Sequence, residues 1–161
     1  MHASRRSAVP VGVVNLIGRV FMGAADCPFA AVDGVIDELR RETSLIVVDM
    51  HGEATSEKVA MGRFLDGRVS AVLGSHTHVQ TADDDILPGG TAYLTDAGMC
   101  GPEASVLGMK TEPVLRRFLT QMPTRFEVAT GVALVQGALV DVAESSGRAT
   151  AIRRVRERVE T

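Results

Sequence analysis

The sequence predicts an α/β fold, and three features of the chain indicate it. The apolar runs at residues 45–48 and 69–73 carry no charge and contain β-branched side chains, which is typical of buried parallel strands. Helical periodicity over residues 29–42 places apolar side chains on one face, with charged residues between them. Short stretches of alternating character near the end of the chain predict a second, antiparallel sheet.

The order of the elements follows from local signals along the chain. Gly, Asp and Pro residues punctuate the segments between apolar runs and mark turns, as in the polar stretch at 82–90. Ser56 is the expected N-cap of the second helix. Its inward-facing residues are expected to be Val59, Ala60, Phe64 and Leu65. In order, we expect a strand at 11–17, a helix at 29–42, a strand at 45–49, a helix at 56–65, strands at 69–73 and 91–95, a helix at 112–121, and strands at 125–129, 131–135, 138–142 and 150–156.

Composition and length restrict the class of protein. A chain of 161 residues with 45% hydrophobic residues is expected to form one domain with a substantial core. Its net charge of -3 at pH 7 indicates no surface for DNA. The two cysteines lack zinc-type spacing and are too few for a disulfide framework, which favours a cytoplasmic protein. The start of the chain is similar to a signal peptide, but Asn15 and Arg19 interrupt it, and no apolar stretch is long enough to cross a membrane.

Three of the four histidines follow two of the apolar runs. His51 comes after the run at 45–48, and His76 and His78 come after the run at 69–73. The carboxyl ends of neighbouring parallel strands meet at the crevice where open α/β sheets bind ligands. Because neutral imidazole is a good ligand for zinc, iron, manganese or nickel, this clustering predicts a metal site with hydrolytic chemistry. The alternative is that they are ordinary core or loop histidines, which would be favoured for any one of them alone.

Other polar residues near these strand ends have two interpretations each. Glu53 either orients His51 or is a solvated loop residue. Lys58 and Arg63 either approach an anionic substrate or, as we favour, lie on the solvated face of their helix. Cys100 is expected to be a small buried residue. The acids that could complete a metal site are Asp49, Glu53, Asp83 and Asp96.

The residues around the histidines resemble a known family. The segments DMHGEATSEK at 49–58 and GSHTHVQTAD at 74–83 resemble the signature segments of the YmdB-like metallophosphoesterases, which belong to the calcineurin-like superfamily. Three further segments match the same pattern, and the resemblance covers nearly all of the chain from about residue 11 onward. These segments are VVNLIGR at 13–19, ILPGGTAY at 86–93 and TDAGM at 95–99.

This resemblance implies a fold, a site and an activity. The implied fold is part of a four-layer α/β/β/α sandwich, and the implied site holds two divalent metal ions, usually iron or manganese. His51 matches the family's lone metal-binding histidine, and His76 and His78 match a pair in which one histidine contributes to each metal. The implied activity is hydrolysis of a small phosphodiester, including cyclic nucleotides such as 2′,3′-cyclic AMP, by a metal-activated hydroxide.

The chain departs from the family pattern in its first part. Residues 1–10 match nothing there, and residues 11–161 correspond to a C-terminal portion of the domain. The Gly-Asp, Asn-Gly-Glu-Asn and Gly-Asn-His segments that supply the remaining ligands and the catalytic histidine are absent. We therefore expect no catalytic residue in this chain, weak metal binding and little turnover. We also expect a bare sheet edge that favours self-association, for example as a homo-oligomer.

Two alternatives to an incomplete phosphodiesterase remain open. The chain could be a non-catalytic metal-binding or interaction module, as in a degenerate paralogue. It could also be a single-zinc hydrolase in which His51, His76 and His78 leave one coordination position open. The incompleteness itself has three explanations, namely a truncated gene product, a misplaced start codon and a split protein. The sequence identifies no substrate-binding residue.

Overall fold

The computed structural model describes residues 9–160, and its elements follow the expected order. The elements are β1 (Gly12–Ile17), α1 (Pro28–Leu39), β2 (Ile46–His51), α2 (Thr55–Phe64), β3 (Ala71–Ser75), β4 (Asp85–Ile86), β5 (Ala92–Leu94), β6 (Gly101–Pro102), α3 (Thr111–Thr120), β7 (Ala133–Val142) and β8 (Ala149–Val159). The predicted domain boundary at residue 10 and the basic segment before it fall largely outside the described residues, so that boundary stays a prediction.

Two sheets organise the molecule and confirm the predicted α/β class. The larger sheet has the strand order β1-β2-β3-β5-β4, in which only the β4–β5 pair is antiparallel. The smaller sheet, β6-β7-β8, is antiparallel, as the alternating segments near the end of the chain predict. The crossovers between the first three parallel strands are made by α1 and α2.

The core has two parts, one on each face of the larger sheet. On one face, Val32 and Ile36 of α1 and Met61 of α2 pack with Val48 and Met50 of β2, and all five are fully buried. On the other face, the larger and smaller sheets pack against each other through small alanine side chains, with partly buried aliphatic side chains around them. These alanines are Ala71, Ala92 and Ala149. Helices, large sheet and small sheet therefore form three successive layers.

Helix α3 contributes little to these layers. Val114 is its one buried residue, whereas Phe118 and Leu119 are 70% and 82% exposed. The described residues thus form three layers of the implied four-layer sandwich.

Three strand predictions and one turn prediction in the second half of the chain are wrong in detail. Residues 125–129 form no strand, because Val128 makes only an isolated bridge with Met109. The segments at 131–135 and 138–142 belong to one strand, β7, since Gly137 stays in register with Val155 instead of turning. The polar turn at 82–90 contains the short strand β4.

Helix α2 presents a different face to the core from the predicted one. It begins at Thr55, and its N-cap, Ala54, makes no side-chain cap, so Ser56 lies inside the helix. Val59, Ala60 and Phe64 are exposed, and only Leu65 of the predicted inward set is buried. The buried residues of the helix itself are Glu57, Lys58, Met61 and Gly62. Two charged residues of this helix therefore point into the protein.

Strand β1 forms one edge of the larger sheet. Among residues 9–160, β1 is hydrogen-bonded to β2 on one side and to no strand on the other. Val11 and Val13 are 55% and 70% exposed, so this edge presents apolar side chains to solvent. Within the same residues, the helices are too short or too polar to cross a bilayer.

Candidate metal-binding site

The site lies where β2 and β3 end. The parallel register places Asn15 beside Asp49 and His51 beside Ser75. Asp49 and His51 are two residues apart on β2, so their side chains share one face of the strand. Val48 and Met50 occupy the opposite, buried face. The sheet thus aligns Asn15, Asp49 and Ser75 across three neighbouring strands, with Ser75 directly beside His51.

The outer nitrogen of the His51 ring lies against a hydrogen-bonded pair of side chains, Ser75 and Asp49. The Ser75 hydroxyl donates to Asp49 Oδ1 at 2.6 Å, and His51 Nδ1 lies 3.1 Å from the same hydroxyl oxygen. With the Ser75 hydroxyl turned to Asp49, Ser75 Oγ is free to accept from His51 Nδ1–H. In that tautomer, His51 Nε2 carries a lone pair. Asn15 Nδ2 donates to the second oxygen of Asp49 at 2.6 Å and fixes the carboxylate.

His76 faces His51 with one nitrogen and Glu53 with the other. Its Nε2 lies 2.8 Å from Glu53 Oε2, and its Nδ1 lies 3.1 Å from His51 Nε2. The two rings are almost perpendicular, at 84°. A carboxylate on the outer nitrogen is the usual support of a metal-binding histidine. Glu53 therefore orients His76 and not His51, as one of its two interpretations held, because Ser75 already occupies the outer nitrogen of His51.

The two inner nitrogens fit one cation as a pair of ligands. When His76 donates from Nε2 to Glu53 and His51 donates from Nδ1 to Ser75, the lone pairs of His76 Nδ1 and His51 Nε2 face each other 3.1 Å apart. Two lone pairs at that distance repel unless a proton or a metal ion lies between them. For metal–nitrogen bonds of about 2.0–2.1 Å, ligands about 90–110° apart have nitrogens about 2.9–3.4 Å from each other. The observed separation falls within this range.

His78 lies apart from this pair. It is exposed and lines a separate cavity of about 140 Å³ with Met99, Glu103 and Gln136. Between residues 9 and 160, no group of three His, Cys, Asp or Glu side chains is arranged to hold a metal ion. The structure thus brings together two of the three predicted ligands, His51 and His76. The role of His78 as a ligand stays a prediction.

A buried ion pair supports the loop that carries His76 and His78. Lys58 Nζ lies 3.0 Å from Asp96 Oδ2, and these side chains are 1% and 0% exposed. Asp96 also accepts hydrogen bonds from the Thr77 amide at 2.9 Å and the Gly98 amide at 3.0 Å. Burial raises the pKa of Asp96, but these amides and Lys58 lower it more, so the pKa lies below its ordinary value of 3.8. The prediction that Lys58 lies on the solvated face is wrong, because Asp96 compensates its charge inside the protein.

The backbone of this loop explains why it needs support. His76 and His78 have φ angles of 119° and 64°, a region that costs free energy for residues with a Cβ atom. Thr77, between them, is held by Asp96. The ion pair therefore stabilises a strained conformation that turns the His76 ring towards His51.

Two other residues near the site differ from expectation or were missed. Glu57 is only 8% exposed, and its carboxylate accepts the backbone amides of Arg19 at 3.0 Å and Val20 at 3.3 Å. It thereby holds the loop that follows β1. Cys100 is exposed, not buried as predicted, with its Sγ 3.6 Å from the Gln136 carbonyl oxygen. Its loop lies at the surface, beside β7.

Comparison with known proteins agrees with the fold and with the resemblance to a family. The family described as "YmdB-like protein" matches residues 1–155. A 2′,3′-cyclic-nucleotide 2′-phosphodiesterase of Bacillus subtilis is 48% identical over 145 residues, which cover 90% of this chain and 55% of that protein. A putative phosphatase/phosphodiesterase of Mycoplasma genitalium is 34% identical over 155 residues, which cover 93% of this chain and 54% of that protein.

Two solved structures have the same fold over most of the chain. A hypothetical protein from Thermus thermophilus superposes with a TM-score of 0.84 at 42% identity, covering 92% of this chain and 57% of that chain. A novel phosphatase from Mycoplasma pneumoniae superposes with a TM-score of 0.82 at 35% identity, covering 92% of this chain and 53% of that chain. The chain therefore spans about half the length of the relatives it matches.

Proposed function

The chain belongs to the YmdB-like protein family, and from that premise we propose that it provides part of the metal site of a phosphodiesterase. The proposed substrates are small phosphodiesters, including 2′,3′-cyclic nucleotides such as 2′,3′-cyclic AMP. The name of the Bacillus subtilis relative supports this substrate class. The observation that carries the proposal is the 3.1 Å separation of His51 Nε2 and His76 Nδ1, whose outer nitrogens are occupied by Ser75 and Glu53.

We propose iron or manganese as the metal, with two ions in the complete site. When bound, such ions would activate a hydroxide and neutralise the charge of the phosphate oxygens. His51 and His76 would bind through their inner nitrogens, and His78 is the further ligand that the family pattern implies. Glu53 and Ser75 hold the two rings in place, and Asp96 holds the backbone between His76 and His78. We further propose a cytoplasmic location.

Metal content measured by elemental mass spectrometry tests this proposal. We expect iron or manganese to copurify with the chain and to fall in both His51→Ala and His76→Ala. His2→Ala is the matched control, since it removes the one remaining histidine outside the proposed ligand set, and its metal content should equal that of the wild type. Equal metal content in all four proteins would refute the assignment of the ligands.

A second candidate is a metal-binding module without catalysis. It is favoured by the lack of a third converging ligand in the part of the chain that the structure describes. The two candidates differ in hydrolysis of 2′,3′-cyclic AMP by the chain loaded with manganese. Turnover that disappears in His76→Ala supports the phosphodiesterase, whereas stoichiometric metal without turnover of any phosphodiester supports the module.

A further inference from the structure

We propose that a cavity at the opposite end of the larger sheet from the histidines binds a phosphate group, as free phosphate or as a phosphate monoester. The cavity measures about 310 Å³ and lies where the end of α1, the turn before β3 and the turn between β7 and β8 meet. Its residues precede β2 and β3, whereas His51 ends β2 and His76 follows β3. The proposal therefore stands or fails independently of the proposed metal site.

Three arginines, one from each of these segments, give the cavity its charge. They are Arg40, Arg68 and Arg148. Among residues 9–160, no acidic side chain lines the cavity, and serine and threonine residues complete its polar surface. A guanidinium group stays charged in proteins and carries its N–H donors in a planar fork that matches the oxygens of a phosphate. The lining therefore has the chemistry of a phosphate site.

Two of the arginines are held in place before any anion binds. Arg68 Nη2 lies 2.6 Å from Asp33 Oδ1, and its guanidinium carbon lies 5.1 Å from the centre of the Phe64 ring. Arg40 Nη2 donates to the Arg68 carbonyl oxygen at 2.5 Å. Each of these hydrogen bonds uses one nitrogen of a group that has five N–H donors. Because the side chains are already ordered, little conformational entropy remains to be lost when an anion binds.

The third arginine is carried by a turn that is fixed against the loop before β2. Ser44 Oγ donates to the Glu144 carbonyl oxygen at 3.3 Å, and a Cβ atom at Gly147 would overlap the Ser44 carbonyl oxygen. The Ser146 hydroxyl oxygen accepts the Arg148 amide at 3.3 Å, so its proton can be donated to an anion. Close backbone packing therefore places Arg148 and a hydroxyl donor at the cavity.

The balance of charge at the cavity favours an anion. Asp33 pairs with Arg68, and Asp66, in the turn before β3, accepts the Gly89 amide at 2.8 Å. The other two arginines of the lining have no carboxylate partner within residues 9–160. Three guanidinium groups beside two carboxylates leave an excess of positive charge. A phosphate monoester, which carries a charge of about -1.5 to -2 at pH 7, complements this excess.

Titration of the full chain with inorganic phosphate, followed in ¹H–¹⁵N spectra, tests the proposal. We expect saturable shifts of the arginine side-chain signals and of the Ser44 and Gly147 amides, with a dissociation constant of about 1 mM or below. Shifts centred on the loop at 76–81 would place the phosphate at the histidines and overturn the proposal. A titration without saturation at about 10 mM phosphate would also overturn it.

Substitution of Arg148 tests whether its guanidinium binds the anion. Arg148 is exposed on a turn, so Arg148→Ala removes no core packing, and we expect phosphate to bind about 10–100-fold more weakly. Arg153→Ala is the matched control, because it removes the same charge from an exposed position of β8 outside the lining. Its affinity should stay within about twofold of the wild type, since salt screens distant charges.

Two outcomes with these variants would contradict the proposal. Equal weakening in Arg148→Ala and Arg153→Ala would indicate a general attraction of anions to the chain. Wild-type affinity in Arg148→Lys, which keeps the charge but not the planar fork, would refute recognition by the guanidinium group.

Titrations with AMP and adenosine identify the source of the phosphate group. AMP that binds about tenfold more tightly than inorganic phosphate, or better, would assign a nucleotide, and a smaller difference would assign free phosphate. Both results support the site. Adenosine carries no phosphate and should leave the signals of the cavity unchanged. Adenosine that binds there as tightly as AMP would show that the anion is not what is recognised, and would overturn the proposal.

Discussion

The buried pair of Lys58 and Asp96 predicts an asymmetry that double-mutant analysis can measure. In Lys58→Met, Asp96 keeps two backbone donors, the Thr77 amide at 2.9 Å and the Gly98 amide at 3.0 Å. The cost is then mainly one hydrogen bond to a charged group, about 1.5–3 kcal/mol. In Asp96→Asn, the Lys58 ammonium keeps only neutral acceptors, the amide oxygen at position 96 and the Ser75 carbonyl at 3.5 Å, and loses the negative charge that compensates it within the described residues.

The second variant should therefore cost more than the first. Removing one partner of a buried ion pair typically costs about 3–5 kcal/mol, because a buried charge is left without compensation. We expect this range for Asp96→Asn. In the double variant, the uncompensated ammonium is gone, so Lys58→Met should recover about 1–2 kcal/mol when it is introduced into Asp96→Asn.

Urea unfolding followed by circular dichroism gives the free energy of unfolding of the four proteins. Similar slopes with urea are required, so that differences in midpoint report stability. Lys110→Met provides a matched control, since Lys110 and Glu127 form an ion pair at 2.7 Å in which both side chains are at least half exposed. Its effect should not exceed about 1 kcal/mol. The reasoning is refuted if Lys58→Met costs as much as Asp96→Asn, or if the double variant is no more stable than Asp96→Asn.

Three further predictions concern the surroundings of the site. A Cβ atom at Gly74 would overlap the Thr95 carbonyl oxygen and approach Lys58 Cδ to 2.9 Å. Gly74→Ala should therefore lower the free energy of unfolding by about 2–3 kcal/mol, and wild-type stability in urea unfolding would contradict this. Gln80 Nε2 lies 3.0 Å from the carbonyl oxygens of both Gly137 and Val155. Gln80→Ala should therefore lower the free energy of unfolding by about 1–3 kcal/mol and speed hydrogen exchange in β7 and β8. Exchange changes confined to the loop at 76–81 would contradict a role of Gln80 in holding these strands. Burial raises the pKa of Asp83, but hydrogen bonds from Thr81 and Thr95 lower it more, so the pKa lies below its ordinary value of 3.8. The ionised Asp83 carboxylate therefore stabilises the fold above pH 3.8, and this stabilisation is lost as the pH falls through the lowered pKa. The stability difference between wild type and Asp83→Asn, measured by urea unfolding, should therefore shrink between about pH 5 and pH 2, and a constant difference would refute this assignment.

The candidate site was predictable in part because strand ends are visible in the sequence. The apolar runs end just before His51 and His76, and parallel strands bring their carboxyl ends together. The prediction could not separate His76 from His78, because the separation depends on backbone angles of 119° and 64° in a loop. It also missed Ser75 as the partner of His51 and Asp49 as the acceptor of the Ser75 hydroxyl. Asp49 is two residues from His51 and could have been found from strand periodicity, whereas Ser75 could not.

The sequence by itself determined the order of helices and strands, the α/β class, the position of the histidines at the carboxyl ends of strands and the family. These properties depend on local patterns of polarity and on contiguous segments of sequence. The tertiary structure alone decided the strand register that sets Ser75 beside His51, and the burial of Lys58 against Asp96, 38 residues away along the chain. Register and burial depend on contacts between distant segments, and a one-residue shift of a strand would turn its side chains to the other face. Whether a charged helical residue faces solvent or the core is therefore fixed by its partner, which local sequence does not specify.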